Sequence, residues 1–195
     1  MYISRPIKLS TSARKRDAER TRAALLAAAQ TLFSTRGFAN TGVRDVAEFA
    51  GVNSSLVGRY FGSKHGLFRA TLENVIDITP LFQEDRRRMG VSIVKALCEA
   101  EDAPGPLAMM ILSAADPEAH ATSVELLQQK ALIPLAQWLG PPNGEERAAR
   151  LNILWSGFLT VTKLLPLDTL TPERLASIRR WLELATQAIV DEGEV

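Results

Sequence analysis

The chain has 195 residues, 46% of them hydrophobic and 23% charged, which excludes wholesale disorder and supplies enough apolar material for a real core. A single cysteine, Cys98, excludes a disulfide scaffold and a four-cysteine zinc site. With only two histidines, His65 and His120, no metal and no cofactor is expected. The net charge of +1 conceals an asymmetry: residues 1–75 hold 12 basic and 5 acidic residues, a net of +7, and the remainder holds 11 against 17, a net of −6. A basic head on an acidic body is the pattern expected when one end alone meets a polyanion. No apolar run approaches the length of a bilayer span, and residues 1–10 lack the apolar centre of a signal peptide. The expectation is a cytoplasmic protein with no membrane partner.

In chain order, the pattern predicts an all-α protein. Residues 1–12 read as a flexible arm. A first helix spans about 14–34, with Leu25, Ala28, Ala29 and Leu32 on one face and Gly37 as its stop. Two short helices, about 43–50 and 54–61, flank Gly51-Val52-Asn53. A fourth, capped by Ser63, runs to about residue 78, where Pro80 forces a break. More apolar helices follow at about 83–100, 106–115 and 117–139, the last kinked at Pro134. After the Gly140–Gly144 loop come 145–165 and 172–191, the latter opened by Thr171, Pro172 and Glu173. The architecture is about nine helices: an arm (1–12), a three-helix head (13–63) and a larger helical bundle body (64–195).

The densest signal is Val43–Tyr60. With Val43 as position one, apolar or small residues stand at four, five, eight, ten and fifteen (Val46, Ala47, Ala50, Val52, Val57), and Gly51 stands at nine. Two helices crossing steeply need a small residue at closest approach, as Ala47 supplies, and their turn needs a positive φ, which glycine adopts freely. Such a helix-turn-helix places its second helix in the major groove of DNA. An ordinary helical hairpin would share the glycine turn but not the coincidence of six positions with a basic head.

Residues 16–73 resemble the N-terminal domain of TetR-family transcriptional repressors. The matching pieces are Ala28-Ala29, Leu32-Phe33, Gly37-Phe38, Thr41, Val43-Arg44-Asp45-Val46-Ala47, Ala50-Gly51-Val52, Tyr60-Phe61, Lys64 and Leu67. Residues 112 through 183 look, more loosely, like a helical ligand-binding domain of that family. The resemblance implies an all-α homodimer that binds a double-stranded, palindromic operator and is released by a small-molecule inducer. It further implies that Thr41 and Arg44 lie near phosphates or bases. Asn53, Ser54, Ser55 and Leu56 then form the exposed start of the recognition helix, and Tyr60 and Lys64 touch phosphates. Two departures stand out. Gly58 replaces a tyrosine common in the family, and Arg59 replaces a histidine, so Arg59 is expected to take over a phosphate or guanine contact.

Two stretches of the body, 145–165 and 172–191, are too apolar for one core, which points to a subunit interface or to a deep monomer core. Met109, Met110, Trp138, Trp155 and Phe158 are bulky and adaptable enough to line a ligand cavity, although plain core is the simpler reading of each. An enzyme is not expected. Cys98 sits mid-helix among apolar residues, and His120, near Asp116 and Glu118, reads as a surface cap. A helical adaptor without DNA binding is a further alternative, opposed by the basic head.

Overall fold

The computed structural model describes residues 11–99 and 105–193, which form ten α-helical segments and, among the described residues, no strand. These are α1 (Thr11–Arg36), α2 (Val43–Phe49), α3 (Ser55–Phe61), α4 (Lys64–Val75), α5 (Met89–Glu99), α6 (Pro106–Ser113), α7 (Pro117–Leu127), α8 (Ile133–Leu139), α9 (Gly144–Leu159) and α10 (Pro172–Asp191). A single π-turn, Gln128–Leu132, joins α7 to α8. They therefore run as one rod, and the expected nine helices are met. Residues 1–10 of the expected arm lie outside the described residues, whereas Thr11 and Ser12 belong to α1.

The head is built on the predicted face of α1. Leu25, Leu26, Ala28, Ala29, Leu32 and Phe33 are all buried, and Phe33, Phe38 and Phe68 pack with ring centroids 5.2–5.9 Å apart. Gly37 (φ +74°) ends the helix, its N–H donating to Phe33 O at 3.0 Å. It has a second duty: a Cβ there would collide with the backbone carbonyl of Leu112 at the end of α6. Next to it, Phe38 N–H donates to the buried Ser113 Oγ at 3.0 Å. The cluster that fills the head continues through Leu67, Phe68 and Leu72 of α4 to Met109, Ala119 and Leu126 of the body. In the body, Met89 and Ile93 meet Leu135, Leu139, Ala148, Leu151, Ile189 and Val190, and a smaller cluster joins Val94, Phe158 and Leu182.

Local caps form as the sequence predicts. Ser63 Oγ accepts from Gly66 N–H at 3.0 Å, and Thr171 Oγ1 from Arg174 N–H at 3.4 Å. Three boundaries move. α4 stops at Val75 rather than near residue 78, because Asp77 Oδ1 accepts from Thr79 N–H (2.9 Å) and starts a 3₁₀ turn, Thr79–Gln83, around Pro80. α5 starts only at Met89, because a second 3₁₀ turn, Arg86–Arg88, intervenes. Where a kink is expected at Pro134, a π-turn over Gln128–Leu132 precedes it: Pro134 has no N–H for the Lys130 carbonyl, and the ladder widens ahead of it. A second π-turn, Thr160–Leu164, extends α9. No helix among the described residues is long and apolar enough to cross a membrane.

Candidate nucleic-acid interface and effector cavity

The α2–turn–α3 unit is held from within. Val46, Ala47 and Val57 are buried to 1% exposure or less, and Gly51 takes φ +66° while Val52 N–H donates to Ala47 O at 2.9 Å. Asp45 Oδ2 accepts from Gly42 N–H (2.8 Å), covering a free donor at the start of α2. Asn53 Oδ1 accepts from Ser55 N–H (2.9 Å). The capping bond of α3 therefore comes from Asn53, one position before Ser54.

The proposed DNA contacts fall into two groups. Arg44, Asn53, Ser54, Ser55 and Arg59 are exposed, and Leu56 is half-buried at their edge. Neither Arg44 nor Arg59 forms an ion pair among the described residues, whereas Arg69, outside this face, binds Glu125 through both terminal nitrogens (2.9 and 2.6 Å). The other three make contacts within the chain. Thr41 is 1% exposed, and its hydroxyl donates to Gly37 O at 2.8 Å. Its side chain braces the α1–α2 corner and is not presented to a phosphate or a base. Tyr60 is half-buried against Phe61 (centroids 6.3 Å apart), and Lys64 Nζ lies 4.1 Å from the Phe38 ring centroid. Gly58 is exposed in the middle of α3, and a Cβ there would meet nothing within 4 Å. No neighbour in the chain requires glycine at this position. Gly58→Ala is expected to raise stability by about 1 kcal/mol, moving Tm up by roughly 2–4 °C in thermal unfolding.

Tertiary contacts show what the sequence hid. The histidine whose ring meets Asp116 and Glu118 is His65: its ring nitrogens lie 3.2 Å from Asp116 Oδ1 and 3.3 Å from Glu118 Oε2, while His120 is exposed, as expected, with its backbone N–H on Asp116 O at 2.8 Å. The Ala119 N–H first, and His65 after it, hold the Asp116 carboxyl below its ordinary range. With the Arg69–Glu125 pair, this contact locks α4 onto α7. No group of three or more His, Cys, Asp or Glu residues able to hold a metal is found among the described residues.

An apolar cavity of about 300 Å³ lies where the end of α4 meets α6, the α7–α8 rod and α9. Of the five residues expected to line a ligand site, Met110 and Trp155 are on its wall. The other three lie elsewhere, two of them in solid core. Met109 is fully buried in the cluster that fills the head, and Phe158 is 6% exposed inside the third cluster. Trp138 stacks on Phe82 (6.0 Å) beneath the Arg86 guanidinium (4.6 Å). Helical spacing shows that a residue faces inward, and it cannot tell a filled interior from a hollow one. A second hollow, about 750 Å³, lies on the outer side of α8 and carries Gln128, Gln137 and Glu145.

A basic head whose two motif helices each carry one exposed arginine, Arg44 and Arg59, with short polar side chains at the start of the second, set on an apolar helical body, defines a helix-turn-helix transcriptional regulator. The profile of bacterial regulatory proteins of the tetR family matches residues 25–71, and that of the tetracyclin repressor-like C-terminal domain matches residues 88–190. The chain belongs to the TetR family of DNA-binding transcriptional regulators. It is 39% identical over 80 residues to the regulator RutR of Escherichia coli, covering 39% of this chain and 38% of that protein. It is 46% identical over 57 residues to a transcriptional repressor of Mycobacterium tuberculosis, 29% of this chain and 30% of that one. These matches thus span well under half of each relative. Over the whole fold, it is similar to a TetR-family regulator of Streptomyces coelicolor (28% identity, TM-score 0.53, 89% of this chain and 96% of that one). A regulator from Rhodococcus shares the fold at 18% identity with a TM-score of 0.69, covering 88% and 99% of the two chains.

Proposed function

We propose that the protein is a repressor that binds a palindromic operator as a homodimer and is released by a small apolar or amphipathic molecule. The observation that carries the DNA reading is the bare front of α3, where Asn53, Ser54, Ser55 and Arg59 stand exposed beside the unpaired Arg44. Short polar side chains approach base edges closely, and arginines displace the counterions condensed on phosphate. The buried Thr41 acts here as a positioning residue.

A homodimer is supported by the outer faces of α9 and α10. Ile153, Trp181 and Leu184 are 68%, 57% and 66% exposed, and Trp181, Leu184 and Ala188 share one stripe of α10. A single seven-residue recognition helix reads few bases, whereas a twofold dimer reads two half-sites about 34–36 Å apart. Release is supported by the cavity, whose wall includes Val75, Ile76 and Ile78 at the end of the helix that begins beside the DNA-binding head. A ligand preferring a differently spaced state by ~1–3 kcal/mol would weaken operator binding roughly 5- to 150-fold.

The test is footprinting on DNA flanking the protein's own gene, followed by titration of salt. Arg44→Ala and Lys64→Ala are expected to weaken binding to all sequences about equally, each reducing the salt slope by about 1, whereas Ser55→Ala and Leu56→Ala should alter sequence preference. Retention of the full salt slope in both lysine and arginine variants would remove these residues from the interface.

A further inference from the structure

Among the described residues that line the 300 Å³ cavity, Asp77 alone is charged. The rest of the wall is apolar apart from Asn152 and Ser156, and Ser156 already donates its hydroxyl to Asn152 O at 2.6 Å. Asp77 is exposed, which puts it at the rim, where a bound charge keeps part of its water. Its carboxylate makes no ion pair among the described residues. Thr79, through its hydroxyl and its N–H, holds it below its ordinary pKa, so it is ionised at neutral pH. It also stands two residues beyond the carboxyl end of α4, where the helix dipole adds partial negative charge.

Two features oppose that field. Lys130 acts on Asp77 through space, but its Nζ is bound to Glu73 O at 2.8 Å. The amino end of α6 also lines the cavity, but its first position, Pro106, has no N–H to offer an anion.

Resting on the reading of this cavity as the effector site, we propose that it takes an amphiphilic organic cation, with the apolar tail among Leu97, Met110, Leu135, Trp155 and Leu159 and the ammonium or amidinium head at Asp77. The apolar wall supplies affinity without regard to charge. The rim carboxylate supplies the choice between heads, attracting a cation, ignoring an alcohol and repelling a carboxylate.

Calorimetric titration of the full-length protein with n-octylammonium, 1-octanol and octanoate separates these terms, because the three share one tail. The ammonium is expected to bind about fivefold tighter than the alcohol, the factor that an exposed ion pair of ~1 kcal/mol gives, and octanoate is expected to bind weakest. Asp77→Asn keeps an oxygen for the Thr79 bond. It should bring the ammonium down to the alcohol's affinity while leaving the alcohol's own affinity unchanged. Equal binding of ammonium and alcohol by the unmodified protein overturns the cation assignment and leaves the apolar cavity standing. So does a preference that survives Asp77→Asn. Failure of all three to bind overturns the effector reading itself.

Discussion

Arg147→Met is expected to lower stability by about 3–5 kcal/mol, read as a fall in the urea midpoint at fixed protein concentration. Arg147 is 1% exposed, yet it carries a charge inside an apolar cluster. Its Nε and Nη2 donate to Ile189 O and Val190 O, both at 2.9 Å, and Nη1 reaches Leu139, Gly140 and Pro142 carbonyls at 3.2–3.4 Å. These carbonyls belong to the last turns of α8 and α10 and the loop after α8, which have no onward helix to bond. One guanidinium therefore satisfies two helix ends at once and sits at the negative end of both dipoles. Burial, then the neighbouring Arg86, lowers its pKa from the usual arginine value, but a guanidinium does not give up its proton in the physiological range. Arg86 Nη2 would still reach Leu139 O and Val190 O (both 3.2 Å), but methionine would leave the buried Ile189 carbonyl without its Arg147 donor and the two helix ends without their shared charge, at ~1–3 kcal/mol per lost partner before relaxation. Arg147→Lys should fall between, since a point charge with three donors cannot reproduce the planar fork. An unchanged midpoint in Arg147→Met would show that water replaces the guanidinium without loss.

Leu184→Glu is expected to convert the proposed dimer to a monomer that stays folded, seen as a halving of mass in multi-angle light scattering with an unchanged helical circular dichroism spectrum. Leu184 is 66% exposed in one chain, so a carboxylate there costs little in the monomer. In a twofold interface the substitution appears twice, and each copy would bury a charge against an apolar face, a penalty of several kcal/mol per ion. Operator affinity should fall with it, because the two recognition helices lose their fixed spacing. A charge at Trp155 or Phe158 has a different expected outcome. Trp155 donates Nε1–H to Thr186 Oγ1 (3.1 Å), and Phe158 is 6% exposed inside the protomer, so unfolding replaces dissociation. A Leu184→Glu protein that kept the dimer mass at micromolar concentration would move the interface elsewhere.

The parts of this protein that the sequence determined by itself are those governed by neighbours along the chain. The face of α1, the Ala47–Gly51–Val57 framework, and the Ser63 and Thr171 caps depend on residues three, four or a few positions apart, which one helical turn brings together whatever the rest of the chain does. The charge of the head is likewise a sum over composition. Tertiary structure decided what depends on distant partners. Thr41 and Arg44 are three residues apart and looked alike as DNA contacts, yet the fold turns one into the α1–α2 corner and leaves the other in water. Arg147 meets carbonyls more than 40 residues away, and His65 meets Asp116 51 residues away, pairings that carry no local signature. Met109 and Met110 are adjacent, and only the crossing of α6 with its neighbours puts one in solid core and the other on a cavity wall. A hollow is a property of how helices fail to meet, and no single helix encodes it.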